Sequence, residues 1–196
     1  MLKHAEHAIR ITPRRPGPAL HRLSPTREDI LGPYYRPGSP WRTDLVRPGI
    51  EGELLVVQGR VMDTAGRPHV GALIDVWQAD AAGHYDNEPG HESDEYLLRG
   101  QMRSDGTGRY AFRTVLPGQY EMEDGVKRPR HIHYNVSHPG MRPLTTQLYF
   151  EGDPYLEQDP YGHPELVIPL GPLPGQSAGF AGVFDVVLER MSLATH

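Results

Sequence analysis

The chain predicts an antiparallel two-sheet β-sandwich of about eight strands, and three observations carry that expectation. Glycine and proline, 22 and 20 of 196 residues, punctuate the chain rather than dominating it. The apolar segments between them are short and alternate with polar residues, as half-buried strands do. No segment sustains a long helical period. Short alternating runs between turn signals are the pattern of sandwiches.

The elements follow in order. Residues 1–29 are polar, with Pro13, Pro16 and Pro18 close together. They predict an irregular N-terminal arm, lying on a partner or on the domain's own surface, ahead of a folded domain at 30–196. The stretch 24–31 fits one helical turn, and GPYYRPG at 32–38 must be a loop, since Pro and Gly exclude regular structure. A first strand is expected at 54–62, then a turn in which Gly66 suits positive φ. A second strand covers 72–79. The turn at 80–83 leads to His84 and Tyr85, and a long polar loop runs over 86–95. Strands are expected at 97–103 and 109–115, the latter ended by Pro117 and Gly118. Further strands fall at 131–136, 144–150 and 182–188.

Composition excludes several classes. The net charge of −5 gives no footing for nucleic acid. The absence of cysteine rules out disulfides, zinc–thiolate sites, iron–sulfur clusters and cysteine nucleophiles. No apolar run approaches the ~18 residues of a membrane span. The N-terminus lacks an apolar secretory core, so a cytoplasmic protein is expected.

Candidate chemistry starts at RPRHIHY, residues 128–134. Side chains alternate along a strand, so His131 and His133 share one face while Ile132 and Tyr134 take the other. Their Cα atoms stand roughly 6.5–7 Å apart, close enough for both imidazoles to reach one ion at about 2.0–2.1 Å. A lone HxH is also common without a metal. Tyr85 and Tyr120 each follow a strand and a glycine turn, where a sandwich presents its end loops. Both could approach the histidine strand from there. A phenol ionises near pH 10 and is no ligand at neutral pH, but a trivalent cation favours the phenolate strongly. Two phenolates, two neutral imidazoles and one hydroxide would neutralise Fe³⁺.

Four runs appear in order: GALIDVWQADAAGHYD, RSDGTGRYAFRTVLPGQY, RPRHIHYNVS and LTTQLYFEGDPY. Together they resemble the catalytic domain of the intradiol ring-cleavage dioxygenases over about residues 31–155. In size the chain is nearest the protocatechuate 3,4-dioxygenase type, without the helical linker domain of catechol 1,2-dioxygenases. The resemblance implies a non-haem Fe(III) held by Tyr85, Tyr120, His131 and His133. It also implies cleavage of a catecholic ring by O2 to a cis,cis-muconate-type diacid. In it Tyr120 is the tyrosinate that dissociates and takes a substrate proton, Arg128 stabilises the developing negative charge, and Gln147 orients it. The 32–38 loop would lie near the substrate mouth. Lys127 and Arg130 depart from the Trp and Ala usual in protocatechuate enzymes. They would meet an anionic ring substituent or face solvent.

Two other readings compete. A cupin-like enzyme would use His131 and His133, yet neither Glu151 nor His163 stands at a suitable strand position. A non-enzymatic transthyretin-like or carbohydrate-binding module would suit the strand–turn–strand at 57–77 but leaves Tyr120 and Arg128 unexplained. Trp77 is expected in the core. His84 neighbours Tyr85 but points away from it, and His91 belongs to a turn-like segment. The family assembles and the arm is rich in proline, so a homo-oligomer, at least a dimer, is expected.

Overall fold

The structure, a computed structural model, describes residues 22–122 and 125–191. The expectations for 1–21, within the arm, lie outside the described residues. Two five-stranded sheets face each other. One is built around β1 (Leu54–Asp63), paired with β4 (Arg109–Val115), β11 (Phe180–Val183) and β12 (Val186–Leu188), with β10 (Gly171–Pro172) beyond β11. The other runs β3 (Arg99–Arg103), β2 (Leu73–Trp77), β7 (His131–Ser137), β8 (Leu144–Phe150) and β9 (Val167–Ile168). A separate hairpin pairs β5 (Tyr120–Glu121) with β6 (Lys127–Arg128). Helix among the described residues is limited to two 3₁₀ turns, Leu156–Gln158 and Pro164–Leu166. Among the described residues no helix is long and apolar enough to cross a membrane.

The sandwich follows from alternation. Leu55, Val57 and Val61 of β1 point inward with Phe112 of β4, against Ile74 and Val76 of β2, Ile132, Tyr134 and Val136 of β7, and Leu148 of β8. Each such side chain contributes about 1.5–3 kcal/mol on burial. The sequence period is therefore the period of the core. The other face of β7 is buried too, as it is in β2 and β8: His131 and His133 are each 2% exposed. A strand with both faces covered is where a site can be built under a sheet.

Two local expectations change. The run at 182–188 is not one strand. It breaks at Phe184 and Asp185, where the Phe184 N–H donates to the Gln58 carbonyl (2.8 Å) and the Asp185 carboxylate accepts the Arg60 N–H (2.8 Å). A side chain takes over the partner role of a backbone carbonyl there, and β11 and β12 each run parallel to β1. The stretch 24–31 forms no helical turn. It lies along strand edges, with the Thr26 N–H on the Val187 carbonyl (2.9 Å), the Val187 N–H on Thr26 Oγ1 (2.8 Å) and the Asp29 N–H on the Thr145 carbonyl (3.0 Å). Open strand edges offer backbone partners that a single helical turn cannot match.

Candidate metal centre

β7 brings the two histidines to the outer face of the second sheet, and its neighbours complete the floor. Register places Trp77 and Gln147 on either side of His133, and Tyr149 beside His131. Cross-strand partners share a face, so these side chains form one surface. Trp77 is buried as expected, but on this face rather than between the sheets. Its ring lies flat on His133, centroids 4.8 Å apart and 3° from parallel. The 32–38 loop crosses above. Gly32 holds φ +73°, and a Cβ there would stand 2.9 Å from the His133 ring. Only glycine allows the backbone to pass so close. Tyr34 then stacks on Tyr85 (4.6 Å, 23°) and Tyr35 leans on Trp77 (4.8 Å).

The two tyrosines arrive from separate turns that touch each other. The Gly118 N–H donates to the Asp80 carbonyl (2.7 Å), and a Cβ on Gly83 would meet the Gln119 carbonyl oxygen at 2.4 Å. This close contact delivers Tyr85 and Tyr120 to one place. Ring centroids stand 5.9 Å apart for Tyr85–Tyr120, 5.5 Å for Tyr120–His131, 4.9 Å for His131–His133 and 6.1 Å for Tyr85–His133. The four predicted ligand residues thus form one cluster.

The hydrogen bonds define which atoms face inward. His131 Nδ1 donates to the Pro129 carbonyl at 2.7 Å, so its Nε2 carries the lone pair, and Tyr85 Oη lies 3.2 Å from that nitrogen. A backbone carbonyl fixing one ring nitrogen is how proteins orient an imidazole toward a metal. His133 Nδ1 is buried without a hydrogen-bond partner. Burial, then the positive Arg128, lowers His131 to about 3. Burial, then His131 and Arg128, holds His133 well below its usual value. Both imidazoles are therefore neutral, as ligands must be. Burial raises Tyr85 well above the ordinary phenol, and it raises Tyr120 against the lowering pull of Arg128. Two phenols whose ionisation burial opposes, beside two neutral imidazoles, are a donor set that fits a highly charged cation.

Arg128 and Gln147 sit beside this cluster in a buried network. Arg128 opposes Tyr120 in the β5–β6 hairpin, with Nη1 3.5 Å from Tyr120 Oη. Its Nη2 donates to Gln147 Oε1 (2.9 Å) and Tyr149 Oη (3.2 Å), its Nε pairs with Asp159 Oδ1 (3.0 Å), and Tyr161 stacks on the guanidinium at 4.9 Å. Gln147 Nε2 donates to Asp29 Oδ1 and the Ile30 carbonyl, both at 3.2 Å, while Tyr149 Oη donates to Asp29 Oδ2 (2.9 Å). Burial raises the Asp29 carboxyl, against the Ile30 N–H and Tyr149.

Three carboxylates here were missed by sequence reasoning. Asp29 fell at the end of the arm. Asp159 falls in a stretch to which alternation and turn signals assign no element. Asp153 accepts Gln119 Nε2 (2.9 and 2.8 Å), the Arg130 N–H (3.0 Å) and Arg130 Nη1 (3.2 Å), and so joins the residues preceding Tyr120 and His131. Asp86 plays a similar part beside Tyr85, receiving Arg99 Nε (2.7 Å) and Arg36 Nη1 (3.2 Å). Period-two alternation in β8 was the one available signal, since it puts Tyr149 on the face of Gln147. Arg130 pairs with Asp153 through Nη1 while its side chain stays 36% exposed. Lys127 is exposed, its ammonium 5.4 Å from the Tyr155 ring.

A buried tyrosine–histidine cluster thus lies on the outer face of one sheet of a β-sandwich, and comparison with known proteins specifies the family. A family model described as dioxygenase matches residues 30–188. A catechol 1,2-dioxygenase of Candida albicans is 36% identical over 151 residues, covering 68% of this chain and 50% of that protein. A protocatechuate 3,4-dioxygenase beta chain of Burkholderia cepacia is 42% identical over 124 residues, covering 58% and 52%. The dioxygenase domain of a dioxygenase carbohydrate-binding protein fusion from Streptomyces sp. SirexAA-E superposes with a TM-score of 0.74 at 36% identity, over 86% of this chain and 100% of that one. The chain belongs to the intradiol ring-cleavage dioxygenase family. It spans about half the length of these two curated relatives.

Proposed function

We propose that this chain is the catalytic domain of an Fe(III)-dependent intradiol dioxygenase. It adds both atoms of O2 to a catecholic ring and yields a cis,cis-muconate-type diacid. Tyr85, Tyr120, His131 and His133 hold the iron. The observation that carries the reading is the approach of Tyr85 Oη to His131 Nε2 at 3.2 Å, with the other ring nitrogen tied to Pro129.

Bound ferric iron supplies Lewis acidity that draws electron density from a catecholate. The chain's own residues do the rest. Tyr120 is less buried than Tyr85, and its phenolate oxygen takes the proton from a substrate hydroxyl as general base. Tyr85, enclosed by Tyr34, stays in place. The Arg128 Nη1 edge faces Tyr120 and stabilises negative charge on the ring oxygens, while Gln147 and Asp159 keep the guanidinium aimed. Trp77, Tyr34 and Tyr35 exclude water from one side. The protein works as a homo-oligomer, at least a dimer, which light scattering on purified protein measures.

The membership of enzymes among the relatives favours this reading over a transthyretin-like or carbohydrate-binding module. Purified protein loaded with ferric iron should bind one iron per chain, turn red-brown from tyrosinate-to-iron charge transfer, and consume O2 with at least one member of a catechol panel. Tyr85→Phe and Tyr120→Phe should each bleach or shift the band. A colourless ferric-loaded protein, or a band indifferent to both substitutions, overturns the assignment.

A further inference from the structure

The loop after Tyr85 carries a second group of donors that the reaction does not use. His84, Glu88 and His91 each present one ligand atom, and these three atoms lie within 4.8 Å of one another. They are arranged by the backbone. The His84 N–H donates to Asp80 Oδ1 (2.9 Å) and the His84 carbonyl accepts the Asp80 N–H (2.9 Å). The Glu88 N–H donates to the Tyr85 carbonyl (3.2 Å) and the His91 N–H to the Glu88 carbonyl (2.9 Å). The Glu88 carboxylate is oriented as well: Oε2 accepts the Tyr85 N–H at 3.1 Å, which leaves Oε1 3.4 Å from His84 Nδ1. The two imidazoles lie side by side, centroids 3.7 Å apart and 11° from parallel. Water reaches the group, since the His84 side chain is 39% exposed. A cavity of about 160 Å³ adjoins it, lined by Asp80, His84, Asp86 and His91 among others.

We propose that His84, Glu88 and His91 form a binding site for a divalent transition-metal cation of the zinc kind. Two imidazole nitrogens and one carboxylate oxygen are a donor set that zinc accepts with a fourth position left to water. A single oxygen donor is too few for calcium or magnesium. Donors around a tetrahedral ion at about 2.0–2.2 Å stand roughly 3.3–3.5 Å apart. Closing the site from 4.8 Å therefore takes up to about 1.5 Å, supplied by turning the exposed His91 ring out of the stack. The cation would sit one residue from Tyr85, on the solvent side, and would brace the loop that carries it through Glu88. The site rests on these three residues and stands independently of the reaction at the buried cluster.

The experiment is a Zn²⁺ titration by calorimetry into the full-length chain loaded with ferric iron, so that zinc does not fill the tyrosine–histidine cluster. A His133→Ala variant reports any zinc taken up there. One zinc per chain is expected at this loop. His84→Ala, His91→Ala and Glu88→Gln should each weaken it by at least about tenfold, because losing even an outer partner of a ligand costs about 10–100-fold in affinity. Glu88→Gln retains an acceptor for the Tyr85 N–H, and circular dichroism confirms that each variant is folded. Zinc should also raise the melting temperature of the wild type and not of the variants. Wild-type protein that takes up no zinc, or variants that bind it as tightly as wild type, overturns the proposal.

Discussion

Arg128 is 2% exposed and draws its position from Asp159, Gln147 and Tyr149 together. Its removal therefore has two consequences that need separating. Arg128→Ala leaves Asp159 as a buried carboxylate without its cation, which costs about 3–5 kcal/mol of stability. If the guanidinium also stabilises charge in the reaction, turnover falls by about 10²–10³-fold. The double variant Arg128→Ala with Asp159→Asn removes the stranded charge. It should regain most of the melting temperature while O2 uptake stays low and ferric content stays near one. Turnover that returns along with stability would reduce Arg128 to a structural residue.

At the scale of elements, single carboxylates tie loops to strands. Asp153 joins the turn before Tyr120 to the start of β7 through Gln119 and Arg130. Asp153→Ala should cost about 2–4 kcal/mol. It should also lower ferric affinity at least about tenfold, read by chelator competition at a temperature where the variant is folded. Unchanged affinity there would deny Asp153 a part in positioning the cluster. Asp63 closes the turn after β1 in a similar way. Burial alone would raise its carboxyl, but hydrogen bonds from the Arg67 side chain and from the Arg67 and Ala65 N–H groups outweigh burial and hold it at about 2, below the usual 3.8. A depressed value stabilises the fold above the unfolded-state pKa and loses that contribution as pH falls through the folded one. Asp63→Ala should cost about 1–2 kcal/mol at pH 7. The gap from wild type in denaturant titrations should narrow below about pH 4 and close near pH 2. A gap independent of pH would mean that the carboxylate charge plays no part.

Across the whole molecule, the site is the reverse side of the core. Ile132 is fully buried between the sheets while its neighbours His131 and His133 face the opposite way. Ile132→Ala should cost about 2–5 kcal/mol, measured by urea denaturation, and should lower ferric uptake because the strand that carries both imidazoles loses its seat. Ferric uptake at the wild-type level in the folded variant would show that the two faces of β7 are independent.

Alternation and turn chemistry were enough to anticipate the longer strands of the sandwich, the shared face of His131 and His133, and the placement of Tyr85 and Tyr120 beyond strand ends, because each depends on bonds and sterics within a few residues. Near-neighbour chemistry could not reveal the break at Phe184 and Asp185, which exists because Gln58 and Arg60 lie alongside, or the extended path of 24–31, whose partners are Thr145 and Val187. Nor could it reveal the face that Trp77 takes or the parts played by Asp29, Asp153 and Asp159. Asp29 meets Gln147 and Tyr149 across 118 and 120 residues of chain. A carboxylate's partner at such separation is chosen by how two sheets and their loops pack, and only the folded molecule brings those groups within hydrogen-bonding distance.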